Sequence, residues 1–307
     1  TAEAGFGTMA SAYWSTWRTD PGRAHGGHSV DQVISLRFPS YAVRHPRQVC
    51  WLNHRMRAYY DGWEQFHAGL SWRNQLKEQA RRRVVHAVDR QLLTRNVARV
   101  FAISKTIQAR LSRWGGIGAE VLYPPPPQRA YRCDGYGDFL FVVSRLTPLK
   151  RIGLVVDALA HPDAAGVRCL IAGDGDEQPA LRARIEELGM GGRVSLLGRL
   201  PEAAVLDHLA RCRAVCFPPL REDYGFVTSE AFASRKSVIT CSDSGGPAEL
   251  VESGVNGLVT APTAPALAAA IRTVMGDVAL AERYGAAGSE VARRLTWEET
   301  VSRLVLV

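Results

Sequence analysis

From Phe139 onward the sequence repeats one unit: a short run rich in β-branched and aromatic residues, a loop, then a stretch with apolar residues at helical spacing. The runs that read as strands are Phe139–Ser144, Val167–Ala172, Val194–Leu197, Ala214–Phe217, Ser237–Cys241 and Gly257–Thr260. Helical patterns at Leu154–Leu159, Gln178–Leu188, Glu202–Ala210, Ser229–Ala233 and Ala266–Met275 separate or follow them. Short apolar strands alternating with amphipathic helices dictate a parallel, doubly wound α/β sheet. Such sheets bind ligands outside the carboxyl ends of their strands, so the loop after each strand is where chemistry is expected.

Upstream the rhythm is looser. Val33–Phe38, Gln48–Asn53, Ala98–Ile103 and Gly118–Tyr123 read as strands, with His54 just past the second and Ser104 placed to cap a helix after the third. Between Trp72 and Leu93 the spacing of Leu76, Ala80, Val84, Ala87, Val88 and Leu92 predicts a helix whose core face is that stripe, with Arg81, Arg82 and Arg83 turned away. Residues 1–30, with Trp14, Trp17 and the Gly26–Gly27 pair, show only weak periodicity. Pro124–Pro127 cannot continue a strand or lie inside a helix and form a stiff linker. The boundary falls there, giving residues 1–128 as a first domain and 129–290 as a second. The tail from Tyr284 to Leu304 reads as helical, with a break near Leu295–Thr296.

At 307 residues with 46% hydrophobic and 22% charged content, the chain is globular and long enough for two domains. No run approaches the ~18 apolar residues of a membrane span. The opening Thr1-Ala-Glu-Ala-Gly5 lacks a signal-peptide pattern, and a cytoplasmic protein is the expectation. The net charge of +8 is uneven: residues 1–128 hold 18 of the 38 Lys and Arg but 8 of the 30 Asp and Glu, a local +10 against −2 for the rest. That basic half is either a solvated surface or a face for an anionic acceptor or the inner surface of a membrane. It lacks the interleaved aromatics of a nucleic-acid binder, and no nucleic-acid partner is expected. The six cysteines lie mostly in apolar runs and read as buried free thiols; no spacing suggests a metal site.

Five loops carry the chemistry. Arg145 and Lys150, five apart in a Pro-containing turn, are placed to clamp a diphosphate, one as a fork and one as a point charge. Gly173-Asp-Gly175 is a glycine turn at a strand end, without the third glycine of a dinucleotide fingerprint, which disfavours a dehydrogenase. Main-chain groups at Arg199 and Leu200 are exposed beside Gly198 and suit a base edge or an ordinary turn. The fourth loop holds Glu222 and Glu230 eight apart around Tyr224 and Gly225, with Glu230 expected in the first turn of a helix. Amides of Gly225, Phe226 and Val227 near that helix start suit a phosphate or a sugar hydroxyl, and Glu230 suits a ribose diol. Each glutamate alone is also explained as a carboxylate favouring a helix dipole. The fifth loop is a Gly245–Gly246 turn into a Pro-started helix.

In order and spacing, Arg145-x4-Lys150, Gly173-Asp-Gly175, Leu197-Gly-Arg-Leu200, Glu222-x7-Glu230 and Gly245-Gly-Pro-Ala-Glu249 followed by Gly254-Val-Asn-Gly257 resemble family-4 retaining glycosyltransferases. The resemblance is strong over residues 139–260 and weak elsewhere. It implies a GT-B fold of two Rossmann-like domains, the second binding a nucleotide-sugar, and a final helix, residues 291–307, returning toward the first domain. It implies Arg145 and Lys150 on the diphosphate, Glu222 near the transferred sugar, Glu230 on the ribose, and His54 as the acceptor-side active-site histidine. The chain departs from that pattern in two ways. No opening strand with a Gly-Gly loop is present, so the first βα units are expected to be absent and the N-terminal domain partial. Asp223 stands where a Gly is usual, adding a carboxylate beside the sugar.

The expected function is metal-independent, retaining transfer of a sugar from a nucleotide diphosphate sugar, the donor substrate, to a carbohydrate or lipid-linked acceptor, with no further cofactor. A nucleotide-sugar-binding fragment without turnover and a sugar-nucleotide epimerase are the alternatives.

Overall fold

The computed structural model describes residues 6–22 and 27–306; Thr1–Gly5 and Gly26 of the Gly-Gly pair lie outside them. The described residues form two compact units. One runs to Pro124 and includes the stretch from Trp297 onward, and the other is Pro125–Thr296.

The first unit contains α1 (Phe6–Arg18), β1 (Val33–Arg37), β2 (Gln48–His54), α2 (Trp63–Ala68), α3 (Trp72–Arg95), β3 (Arg99–Ala102), α4 (Lys105–Arg113) and β4 (Glu120–Val121). Its sheet is parallel in the order β1-β2-β3-β4. The weak N-terminal periodicity thus hides a helix, α1, and the Gly118–Tyr123 run yields only a two-residue strand. Ser104 caps α4 by accepting from the Ile107 amide at 3.1 Å. The C-terminal Trp297–Leu304 helix belongs to this unit. Trp297 packs edge-on against Trp51, and Arg303 pairs with Glu120 at 2.6 Å.

The long helix α3 is rotated from the sequence expectation by about one residue. Its buried residues are Glu78, Val85, Asp89 and Leu93. Leu76 and Val84 of the expected core stripe are 62% and 52% exposed, as are Trp72 (66%) and Trp14 of α1 (58%). The cause is hydrogen bonding. Tyr13, Tyr41 and Tyr60 all donate to the fully buried Asp89, the latter two at 2.6 Å, and Tyr59 donates to Glu78 at 2.6 Å. Buried phenol hydroxyls need acceptors, so the carboxylates take the inside and the aliphatic stripe is left out. Arg81 and Arg82 are corrected with it: Arg81 pairs with Glu78, and Arg82 donates to the Tyr59 carbonyl at 2.9 Å.

The second unit contains β5 (Phe139–Val143), α5 (Ile152–Ala160), β6 (Arg168–Ala172), α6 (Gln178–Glu187), β7 (Val194–Gly198), α7 (Glu202–Arg211), β8 (Ala214–Cys216), α8 (Phe226–Ala233), β9 (Ser237–Cys241), α9 (Gly246–Leu250), β10 (Gly257–Thr260), α10 (Ala264–Gly276) and α11 (Val278–Arg294). Its six parallel strands run in the order β10-β9-β8-β5-β6-β7. The central strands bury nearly every side chain, because helices cover both faces. Leu140, Val142, Ile171, Val155, Ile239 and Ile271 are fully buried in its core. No single helix among the described residues is long and apolar enough to cross a membrane.

Candidate active site

In the second unit the chain builds outward from β5 to β7 on one side, then returns to lay β8 to β10 on the other. Strand order therefore reverses between β5 and β8. Such a reversal is the point at which doubly wound sheets hold ligands. The expected diphosphate loop follows β5, and the loop bearing Glu222 follows β8.

Main-chain hydrogen bonds tie all five carboxyl-end loops together. The Leu146 amide donates to Asp174 O at 2.7 Å, and the Gly173 amide to Gly198 O at 2.8 Å. Gly173 has φ +137, and a Cβ there would lie 1.7 Å from Ser144 O, so only glycine lets the second loop close on the first. Leu220 N to Leu149 O at 2.7 Å joins the first loop to the fourth. Arg221 N to Asp243 O (3.0 Å), Glu222 N to Ser244 O (2.8 Å) and Gly246 N to Glu222 O (3.0 Å) join the fourth to the fifth. At Gly245, φ +75, a Cβ would meet Glu222 O at 2.4 Å. Arg151 locks the frame. It donates to the carbonyls of Pro218 and Pro219, both at 2.8 Å, and as a fork to Asp243 at 2.6 and 2.8 Å.

Within this frame Lys150 Nζ donates to Glu222 Oε2, and it lies 5.5 Å from the centre of the Phe217 ring. The diphosphate lysine and the sugar glutamate of the sequence reading are thus one ion pair, which links the first loop to the fourth. Arg145 is exposed on the same loop. Arg199 is exposed and Leu200 half-buried beyond Gly198, while Asp223 is half-buried beside Glu222. Tyr224 is buried, its ring edge-to-face with the exposed Phe226 at 5.0 Å. Gly225 is the N-cap residue of α8, and Phe226 and Val227 are its first residues, which puts their amides at a helix N-terminus.

Glu230 requires a correction. Because α8 starts at Phe226 rather than near Ser229, Glu230 falls in the second turn, pointing into the protein at 8% exposure. A first-turn dipole carboxylate does not describe it. Its Oε1 accepts from Arg129 and from the Tyr131 hydroxyl at 3.3 Å, and Arg129 also reaches Glu202 at 2.9 Å. Burial raises the Glu230 carboxyl above its ordinary pKa, and Arg129 opposes that rise. Burial and the neighbouring Glu230 likewise push the Tyr131 phenol up. Sequence reasoning missed Arg129 and Tyr131. The available signal was a glutamate among Thr228, Ser229, Ala231 and Phe232, all buried, a position that demands a counter-charge.

His54 belongs to the first unit. It ends β2 half-buried, with Nδ1 3.1 Å from Arg55 O. It borders a cavity of about 10 Å³ shared with Arg57, Asp61 and Arg110, in which both arginines pair with Asp61 at 2.7 and 3.1 Å.

Comparison with known proteins is consistent with this geometry. Residues 131–291, just over half of the chain, match the family Glycosyl transferases group 1. The chain is 33% identical to an exopolysaccharide phosphotransferase of Streptomyces coelicolor, over 55% of this chain and 19% of that protein. It is 29% identical to a phosphatidyl-myo-inositol mannosyltransferase of Mycobacterium leprae, over 62% of this chain and 51% of that one. The matches therefore span about half or less of these relatives' own length. Among solved structures, Anabaena HepE in complex with UDP and glucose superposes with a TM-score of 0.62 at 26% identity, over 71% of this chain and 64% of HepE. The α/β architecture is that of GT-B enzymes. By its matched domain and its fold, the chain belongs to the group 1 glycosyl transferases.

Proposed function

We propose that this protein moves a sugar from a nucleoside diphosphate sugar to a carbohydrate or lipid-linked acceptor, with the second unit holding the donor. The observation that carries this is the Lys150–Glu222 pair at the point where strand order reverses. Lys150 has three N–H donors, so it can keep Glu222 and still meet a phosphate oxygen. With Arg145 it stabilises the diphosphate as charge develops on leaving, the largest electrostatic contribution to such a reaction. These fixed cations let transfer proceed without a metal ion. The amides of Gly225, Phe226 and Val227 and the Gly173 turn approach the phosphates or the sugar. Glu222 orients the sugar, with Asp223 and Tyr224 beside it, and Glu230 accepts from the ribose diol. Main chain at Arg199 and Leu200 meets the base. His54 serves the acceptor side, and retention of anomeric configuration follows from the family resemblance. UDP, bound in the HepE crystal, is the first nucleotide to test. The test is release of nucleotide and transfer of sugar by the unaltered protein and by Arg145→Ala/Lys150→Ala. Loss of turnover and of donor affinity is expected, and unchanged values would remove the clamp.

We further propose peripheral contact with an anionic lipid surface at the inner face of the cytoplasmic membrane through α1 and α3. Trp14 and Trp17 of α1 and Val84, Val88 and Leu92 of α3 line an apolar cavity of about 270 Å³, and Trp72 and Leu76 are exposed elsewhere on α3. Arginines sit over the tryptophan rings, Arg44 on Trp17 at 4.2 Å and Arg73 on Trp72 at 5.2 Å. Co-sedimentation with phosphatidylglycerol vesicles and none with phosphatidylcholine is expected; failure with both would dismiss the contact.

A further inference from the structure

Lys236 follows α8 and is fully buried, at 0% exposure. Its ammonium donates to Gly135 O and, at 3.2 Å, to Cys133 Sγ, and it lies 4.1 Å from the centre of the Tyr136 ring. Among the described residues no carboxylate pairs with it. A buried cation without a counter-ion is costly, and a carbonyl dipole and a ring face offset only part of that cost. Of the groups that contact it, the sulfur of Cys133 is the one that peroxide oxidises readily. Cys133 is also the one cysteine of the six that is not buried. Burial pushes the thiols of Cys50, Cys169 and Cys212 up to about 12, and those of Cys216 and Cys241 upward, which keeps them protonated and unreactive.

We propose that Cys133 and Lys236 form a peroxide-reactive site, in which the oxidised sulfur is held as a sulfenate by the Lys236 ammonium. In this step the sulfur attacks one oxygen of hydrogen peroxide. An S–O bond forms and the O–O bond breaks, and the departing hydroxide takes the thiol proton and leaves as water. Sulfur loses two electrons and the peroxide gains them. The sulfenic acid then releases its proton to solvent, and the resulting anion supplies the charge that Lys236 lacks. The contacts of Lys236 named above include no residue assigned to the donor, although Cys133 sits on the same segment as Arg129 and Tyr131.

The experiment treats the whole protein with dilute hydrogen peroxide and a sulfenate-selective dione, then maps the adduct by peptide mass spectrometry. Labelling at Cys133 first, abolished by Cys133→Ser, is the expected result. Lys236→Met, confirmed folded by circular dichroism, slows labelling about tenfold, the effect of withdrawing about 1.4 kcal/mol of charge stabilisation. Equal labelling of the buried cysteines in the unaltered folded protein overturns the proposal, whether or not Lys236→Met folds. So does undiminished labelling in a folded Lys236→Met.

Discussion

Arg129→Met tests the electrostatics around Glu230. The substitution keeps most of the aliphatic stem but leaves a carboxylate at 8% exposure without its cation. Removing one partner of a fully buried pair costs about 3–5 kcal/mol, and a hydrogen bond to a charged group is worth about 1.5–3 kcal/mol. Arg129 is 31% exposed in its side chain, and its second partner Glu202 is 61% exposed and adds little, so about 2 kcal/mol is expected. For a unit the size of Pro125–Thr296 that lowers the midpoint of thermal unfolding by roughly 4–8 °C. The loss is pH-dependent. The folded-state pKa of Glu230 lies above its unfolded value of 4.5, so its favourable contribution is complete below 4.5 and is lost as pH rises through the folded value. Arg129 lowers that folded value, and removing it raises it further. The variant is therefore near-normal in acid, where Glu230 is protonated in both states, and loses stability as pH climbs. Adding Glu230→Gln should recover about 1 kcal/mol near neutral pH. All seven tryptophans lie in the first unit, so melting is followed by far-ultraviolet circular dichroism rather than by fluorescence. A loss that is the same in acid and near neutral pH, or single effects that add within about 0.5 kcal/mol, would refute the reasoning.

Three further outcomes follow from the packing. Asp89→Ala strands three buried tyrosine hydroxyls at about 1–3 kcal/mol each and should unfold the first unit at ordinary temperature. Tryptophan fluorescence reads that unit alone, and Asp89→Asn should be milder because it keeps an acceptor. Gly173→Ala, with its Cβ driven to 1.7 Å from a carbonyl oxygen, should cost more than about 3 kcal/mol by thermal melting and open the rim loops. Arg145→Ala should leave stability within about 0.5 kcal/mol, because the side chain is exposed, while lowering donor turnover in a released-nucleotide assay.

The second unit was legible because its information is local. Alternation and glycine positions specify each βα unit, and parallel topology then brings the loops to one rim. What the sequence could not show are contacts between residues far apart in the chain: Arg129 with Glu230, Lys150 with Glu222, and Arg151 with Asp243. The error on α3 has the same origin. Periodicity alone favours burying Leu76 and Val84, but tyrosines from three other segments need acceptors, and Asp89 with Glu78 turns the helix to provide them. The helical pattern read from Ser229 starts three residues later than α8, which begins at Phe226 directly after the Gly225 cap. That shift of three residues moves Glu230 from a helix terminus to the interior.

The most direct test of donor binding at the β5–β8 crevice is calorimetric titration of UDP, UMP and GDP into the unaltered protein and Lys150→Ala. The account predicts that a diphosphate binds at least about tenfold more tightly than the matching monophosphate, and that Lys150→Ala, confirmed folded by far-ultraviolet circular dichroism, erases the difference. Equal affinity for UDP and UMP, or a diphosphate preference that survives in Lys150→Ala, would contradict it.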